Sequence, residues 1–182
     1  MKLPKIGQVR LKQHRSVPSE YRLKSVTVSQ TPSGKYYASI LFEYEDQVEE
    51  KKLQKFLGLD FSMYELYRDS NGKEPAYPGY YRNAEKKLAR EQRKLSKMQK
   101  GSNNRNKQRL KVAKLHEKVS NQRKDFLHKW SRQTTNAYDC VCIEDLDMKA
   151  MLRSLNLGKS VSDNGWGMFI TFLKYKLEEC GW

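Results

Sequence analysis

The sequence predicts an α/β fold in which a long basic helical hairpin interrupts a small sheet, with an antiparallel β segment in front of it. Three observations predict this. Strand-type segments of alternating or continuous apolar character stand at Tyr36–Tyr44, Phe56–Phe61 and Tyr138–Leu146. Between the last two, apolar residues recur on three- and four-residue steps, the helical period. Two strands separated by a long helical excursion favour parallel pairing within one sheet. At 182 residues the chain has room for one large domain, or for one with a small appendage.

In order along the chain, Val9 and Leu11 alternate with polar residues, as do Val26 and Val28. Thr31-Pro32-Ser33-Gly34 then makes a turn into the strand Tyr36–Tyr44. The acidic stretch Glu43 to Lys52 links this β segment to the next strand, Phe56–Phe61, which is short and apolar and carries one acid, Asp60. Met63–Arg68 continues as strand, and Asp69-Ser70-Asn71-Gly72 is a hairpin turn. Pro75 and Pro78 break regular structure ahead of the helices.

The first helix is read from Tyr81, Ala84, Leu88, Leu95 and Met98, with Glu91 breaking the seam. The second is read from Val112, Leu115, Val119 and Phe126, with Trp130 a turn further on. Gly101-Ser102-Asn103-Asn104-Arg105-Asn106 separates them as a turn-rich breaker, so the two helices pack antiparallel. Tyr138–Leu146 is a buried-type strand, apolar on both faces and ending on acids. Asp163 N-caps a last helix whose apolar face is Trp166, Phe169, Ile170, Leu173 and Leu177. Gly165 and Gly167 around Trp166 suggest close backbone approach, either to another element or to nucleic acid.

Charge sharpens this picture. The formal net charge is +15 and the pI about 9.7. From Arg82 to Arg132 there are 18 Lys or Arg against 4 acids, so +14 lies within 51 residues. On the first helix Lys86, Arg90, Arg93, Lys97 and Lys100 form a stripe roughly opposite the apolar seam. Lys107, Lys111, Lys114 and Lys118 line up on the second, and Lys94, Arg105, Arg109 and Arg123 add to the cationic surface. A solvated helix face usually mixes signs. This one hardly does, which makes the hairpin a candidate polyanion-binding surface. Only 37% of residues are hydrophobic, yet 11% are aromatic, which excludes a disordered polycation. There is no apolar run of the ~18 residues that a membrane span needs. Three cysteines fit a reducing, cytoplasmic setting better than a disulfide scaffold.

Parallel pairing of the two central strands would bring Asp60 beside Glu144. Two converging carboxylates invite a cation such as Mg²⁺, and with a third acid they would suit two-metal phosphodiester hydrolysis. From spacing alone, a turn cap at Asp60 and a solvated strand end at Glu144 fit better.

Several segments change that balance. They are Leu57-Gly58-Leu59-Asp60, the basic hairpin with Gly101–Asn106, Asn121–Lys129, Ile143-Glu144-Asp145-Leu146-Asp147-Met148-Lys149, and Ser162-Asp163-Asn164-Gly165-Trp166-Gly167. Together, and in this order, they resemble the TnpB (OrfB) family of insertion sequences. The resemblance implies a transposon-encoded, RNA-guided DNA endonuclease related to type V CRISPR effectors, with an RNase H-like (RuvC) nuclease domain. It implies Asp60 and Glu144 as the first two metal-binding, catalytic carboxylates, Mg²⁺ as cofactor, and guide RNA and target DNA as partners. It further implies residues 1–50 as part of a wedge-like (OB-like) β-barrel, and residues 51–182 as a partial RuvC-like domain with hairpin 81–132 inserted. In the family a third acid follows a zinc ribbon beyond the point equivalent to Trp182, and members begin upstream of Met1. The chain is therefore expected to be an internal piece, with no zinc site of its own and inactive alone. The competing expectation is a non-catalytic RNA- or DNA-binding module from a decayed transposon copy.

Two further features are set aside. Cys140 and Cys142 share a strand face with Glu144, but no second ligand pair stands at zinc-finger spacing, so they are read as buried core thiols. His14, His116 and His128 have no nucleophile partner at an interpretable spacing.

Overall fold

The computed structural model describes residues 2–14, 16–45, 52–147 and 165–179. The predicted Asp163 cap, most of the Glu43–Lys52 link and Cys180 lie outside the described residues. The chain divides into two compact units, Met1–Thr31 with Lys35–Gln47, and Pro32–Gly34 with Val48–Trp182.

The first unit holds two antiparallel ladders. Strands β1 (Lys2–Leu3) and β2 (Gly7–Gln8) pair across a tight turn with Lys5 at φ 64° and Gly7 at φ 85°. The alternation at Val9 and Leu11 yields no strand, since alternation without a paired neighbour does not hold one. Strands β3 (Arg22–Gln30) and β4 (Tyr36–Glu43) form the longer ladder, from Arg22↔Glu43 to Gln30↔Tyr36.

Among its described residues the second unit carries a three-stranded sheet in the order β6-β5-β7, together with three helices. Strand β5 (Phe56–Phe61) buries Leu57 and Leu59 on one face and turns Phe56 and Asp60 outward, as a period of two dictates. The chain reverses through Ser62–Leu66, where the Ser62 hydroxyl accepts a hydrogen bond from the Glu65 N–H (3.2 Å). Strand β6 (Tyr67–Asp69) then returns antiparallel to β5. The continuous strand expected over Met63–Arg68 is thus a turn followed by the first two residues of β6. The turn at Asp69–Gly72 does form. Asp69 Oδ1 accepts from the N–H groups of Asn71 (2.9 Å) and Lys73 (2.8 Å).

Helix α1 (Tyr80–Lys97) and helix α2 (Asn103–Ala137) make the hairpin. Helix α2 starts inside the predicted breaker because Ser102 caps it, its hydroxyl accepting from the Arg105 N–H (3.2 Å). The two helices bury Leu88 and Leu95 against Val112 and Val119. With 35 residues, or roughly 52 Å at 1.5 Å per residue, α2 far outruns α1. Its second half therefore serves the sheet: Leu127 joins the core with Leu57, Leu59, Leu66 and Tyr67.

Strand β7 (Cys140–Ile143) is parallel to β5, and helix α3 (Trp166–Glu179) closes the core with Trp166, Phe169 and Leu173. The Tyr67 and Phe169 rings stack at 5.4 Å, and Phe61 meets Trp166 at 5.8 Å. Gly165 enters α3 at φ 76°, where a Cβ would lie 3.0 Å from Leu127 Cδ1 and 3.2 Å from Arg123 Cδ. The close approach is thus to α2, whereas Gly167 faces open space. Lys176, on the same helix, is buried and donates to the His128 carbonyl (2.9 Å) and the Ser131 hydroxyl (2.5 Å).

Candidate active site and nucleic-acid interface

The β5–β7 register is set at the start of both strands. Asp139 Oδ2 accepts from the backbone N–H groups of Gln54 (3.0 Å) and Lys55 (2.9 Å), while the N–H groups of Asp139 and Cys140 donate to the Lys55 carbonyl. From there the strands run in step: Phe56↔Cys140, Leu57↔Val141, Gly58↔Cys142 and Leu59↔Ile143. The paired register ends there; Asp60 is the next residue of β5 and Glu144 the first residue after β7, and both border the same cavity. Alternation along β5 puts Asp60 on the outer face with Gly58, opposite the buried face of Leu57 and Leu59. On the other side of β5, Arg68 pairs with Asp60. The Ser70 hydroxyl accepts from the Gly58 N–H (3.2 Å), and the Ser70 N–H donates to the Gly58 carbonyl (2.9 Å).

These residues line one open cavity of about 420 Å³, which includes Gly58, Asp60, Arg68, Ser70, Cys142 and Glu144. Both carboxylates are exposed, and the Arg68 guanidinium is held by Glu74. Asp69 also borders the cavity, but its carboxylate is buried and engaged by its own turn. Among the described residues no cluster of three or more His, Cys, Asp or Glu is placed to hold a metal ion.

The cysteines differ from expectation. Cys142 is exposed at this cavity and Cys140 is half-buried, because none of the described elements covers the outer face of β7. Among the described residues the buried-type strand is therefore an edge strand, and even Ile143, which pairs with buried Leu59, is 41% exposed.

On the hairpin, Lys86, Arg90, Arg93, Lys94, Lys97, Lys107, Arg109, Lys111, Lys114 and Lys118 are exposed, and Arg105 and Arg123 are half-buried. Three of the exposed cations are committed. Glu91 is 1% exposed and draws Lys111 Nζ to 3.0 Å of Oε2, and Arg90 and Lys94 to Oε1 at 3.3 and 3.5 Å. Gln108 Nε2 donates to Glu91 Oε2 (2.9 Å) and to the Glu91 carbonyl (3.0 Å). The Gln108 and Lys111 hydrogen bonds hold the Glu91 carboxyl down at about 2 against the opposing effect of burial. The residue that breaks the apolar seam is thus the polar centre of the helix pair. Lys86, Arg93, Lys97, Lys107, Arg109, Lys114 and Lys118 remain without ion pairs among the described residues.

With this geometry in view, the family profile described as "Probable transposase" (OrfB_IS605) matches residues 39–155, a range that contains the hairpin and both carboxylates. The chain belongs to the TnpB/OrfB family. It is similar to a Streptomyces pristinaespiralis protein named "Putative RNA-guided DNA endonuclease", 33% identical over 92% of this chain and 41% of the relative. It is likewise similar to "Putative RNA-guided DNA endonuclease InsQ" of Escherichia coli K12, 34% identical over 96% of this chain and 46% of that protein. The chain spans less than half the length of either relative.

Neither the strand-tying role of Asp139 nor the ion-pairing role of Glu91 in this family member is read from the sequence. Each left a signal: a lone acid immediately before an apolar strand, and a lone acid on an apolar helical seam.

Proposed function

We propose that this chain forms part of an RNA-guided DNA endonuclease, supplying two carboxylates of its metal centre and a cationic hairpin for the nucleic acid. The observation that carries the proposal is the parallel β5–β7 register, which runs Asp60 and Glu144 into one cavity on an open face. Two exposed carboxylates with no histidine beside them suit a hard cation, and Mg²⁺ is held by one or two carboxylates together with substrate phosphate. When bound, such an ion supplies Lewis-acid stabilisation and an activated water for phosphodiester hydrolysis.

The remaining roles belong to this chain's own side chains. Asp60 and Glu144 are the ligands, and Asp139 holds the strands in the register that keeps them adjacent. The hairpin binds guide RNA or heteroduplex backbone through Lys86, Arg93, Lys97, Lys107, Arg109, Lys114 and Lys118, with Arg105 and Arg123 nearer the protein body. Arg90, Lys94 and Lys111 contribute less, because Glu91 offsets their charge. The sheet is the RuvC-like core, and the first unit belongs to the wedge-like barrel.

The test is titration of the chain with Mn²⁺, as a reporter for Mg²⁺, monitored by calorimetry or spin resonance. Asp60→Asn and Glu144→Gln should each weaken binding at least tenfold while leaving the circular dichroism unchanged. Wild-type affinity in both variants refutes the metal assignment.

A further inference from the structure

Near the start of α1, a second cavity of about 360 Å³ is lined by residues of both α1 and α2. Its floor is apolar: Ala84 is too small to fill the space between the helices, leaving Leu115 and Val119 to line it. Its rim is polar. Lys87 and Lys118 stand exposed on opposite helices, and among the described residues no acid lines the cavity. Asn83 donates from Nδ2 to the Pro78 carbonyl (2.8 Å), which fixes the amide and leaves its Oδ1 as acceptor, while Gln122 presents a second amide. The Tyr80 ring forms one wall, held edge-on by Tyr77 and Phe126 at 5.7 and 6.1 Å.

We infer that this cavity receives one unstacked nucleotide of a single strand, with the base on the apolar floor and its flanking phosphates between Lys87 and Lys118. An apolar slot with an aromatic wall and amides at its edge matches the way proteins take splayed bases. The two cations with no facing acid match the charge of the backbone on either side. This deepens the nucleic-acid reading of the hairpin and rests on it.

The test compares the full chain's affinity for an oligouridylate and for an abasic ribose-phosphate oligomer of equal length, with deoxy counterparts to separate RNA from DNA. The base-bearing strand should bind about fivefold to about a hundredfold tighter, the range of one stacked base. Ala84→Met fills the slot without removing charge, so it should bring that ratio to near one and leave the salt slope unchanged. If circular dichroism shows Ala84→Met misfolded, Gln122→Ala decides: a reduced ratio supports the site and an unchanged ratio overturns it. Equal affinity of the wild type for both strands, with steep salt dependence, overturns the cavity but keeps the hairpin reading. Binding of neither strand overturns both.

Discussion

Replacing Arg93, Lys97 and Lys114 together by Ala removes three cations that are exposed and have no ion pair among the described residues. Each phosphate neutralised on duplex DNA releases counterions and adds about 0.9 to the magnitude of the slope of log K against log salt. If all seven such cations meet phosphate, the slope is about −6.3, and affinity falls roughly 6,000-fold between 50 and 200 mM salt. The triple variant should show a slope of about −3.6 and a fall of only roughly 150-fold over the same range. The matched control is Arg90→Ala with Lys94→Ala, which removes two cations whose charge Glu91 already offsets at 3.3 and 3.5 Å. Its slope should stay within about 0.5 of wild type, well short of the change that two full contacts would give. Fluorescence anisotropy of a labelled duplex across a salt series measures both. An unchanged slope in the triple variant, or an equal change per residue in the control, refutes the assignment of phosphate contacts by burial and pairing.

Acid titration provides a second expectation. The Glu91 carboxyl is lowered from 4.5 to about 2, so it stabilises the hairpin fully above the unfolded value and loses that contribution as pH falls from 4.5 through about 2. Thermal melts monitored at the helical band should show this loss in the wild type, and Glu91→Gln should lack it. At the entry to α3, Gly165→Ala places a Cβ at φ 76° and 3.0 Å from Leu127 Cδ1. The left-handed conformation alone costs an L-residue roughly 1–2 kcal/mol, so the unfolding free energy from urea melts should fall by at least that much and the midpoint with it. A midpoint equal to wild type would show that the α2–α3 packing yields freely.

Much of the architecture was legible because it is written in local periods. Leu57 and Leu59 alternating with Gly58 and Asp60 fix a strand and its faces, and the seams of Leu88 with Leu95 and Val112 with Val119 fix two helices. The excess of Lys and Arg between positions 82 and 132 marks the cationic surface before any coordinates are known. Of the features that depend on a partner distant in the chain, the parallel pairing of β5 with β7 was legible from the helical excursion between them, but others were not. The reversal at Ser62–Leu66 replaced a continuous strand because β6 gains its ladder by folding back on β5. Helix α2 ran past its predicted end because Leu127, Ser131 and Thr134 are buried.

The candidate site divides in the same way. The residue types at Asp60 and Glu144 were present in the sequence, and their resemblance to a family of nucleases gave them meaning. The tertiary structure adds that both border one cavity, and that Asp139 ties the start of β7 to the backbone of Gln54 and Lys55 some 85 positions away. The sequence likewise supplied every cation of the hairpin, but the fold decided which are available. Glu91, placed by the seam inside the helix pair, draws Arg90, Lys94 and Lys111 to itself, because a buried carboxylate must be paired and hydrogen-bonded to remain charged. By itself the sequence determined the elements and the chemistry they carry. The exact register, the degree of burial and the ion pairs came only from tertiary structure, since each depends on residues that no local pattern connects.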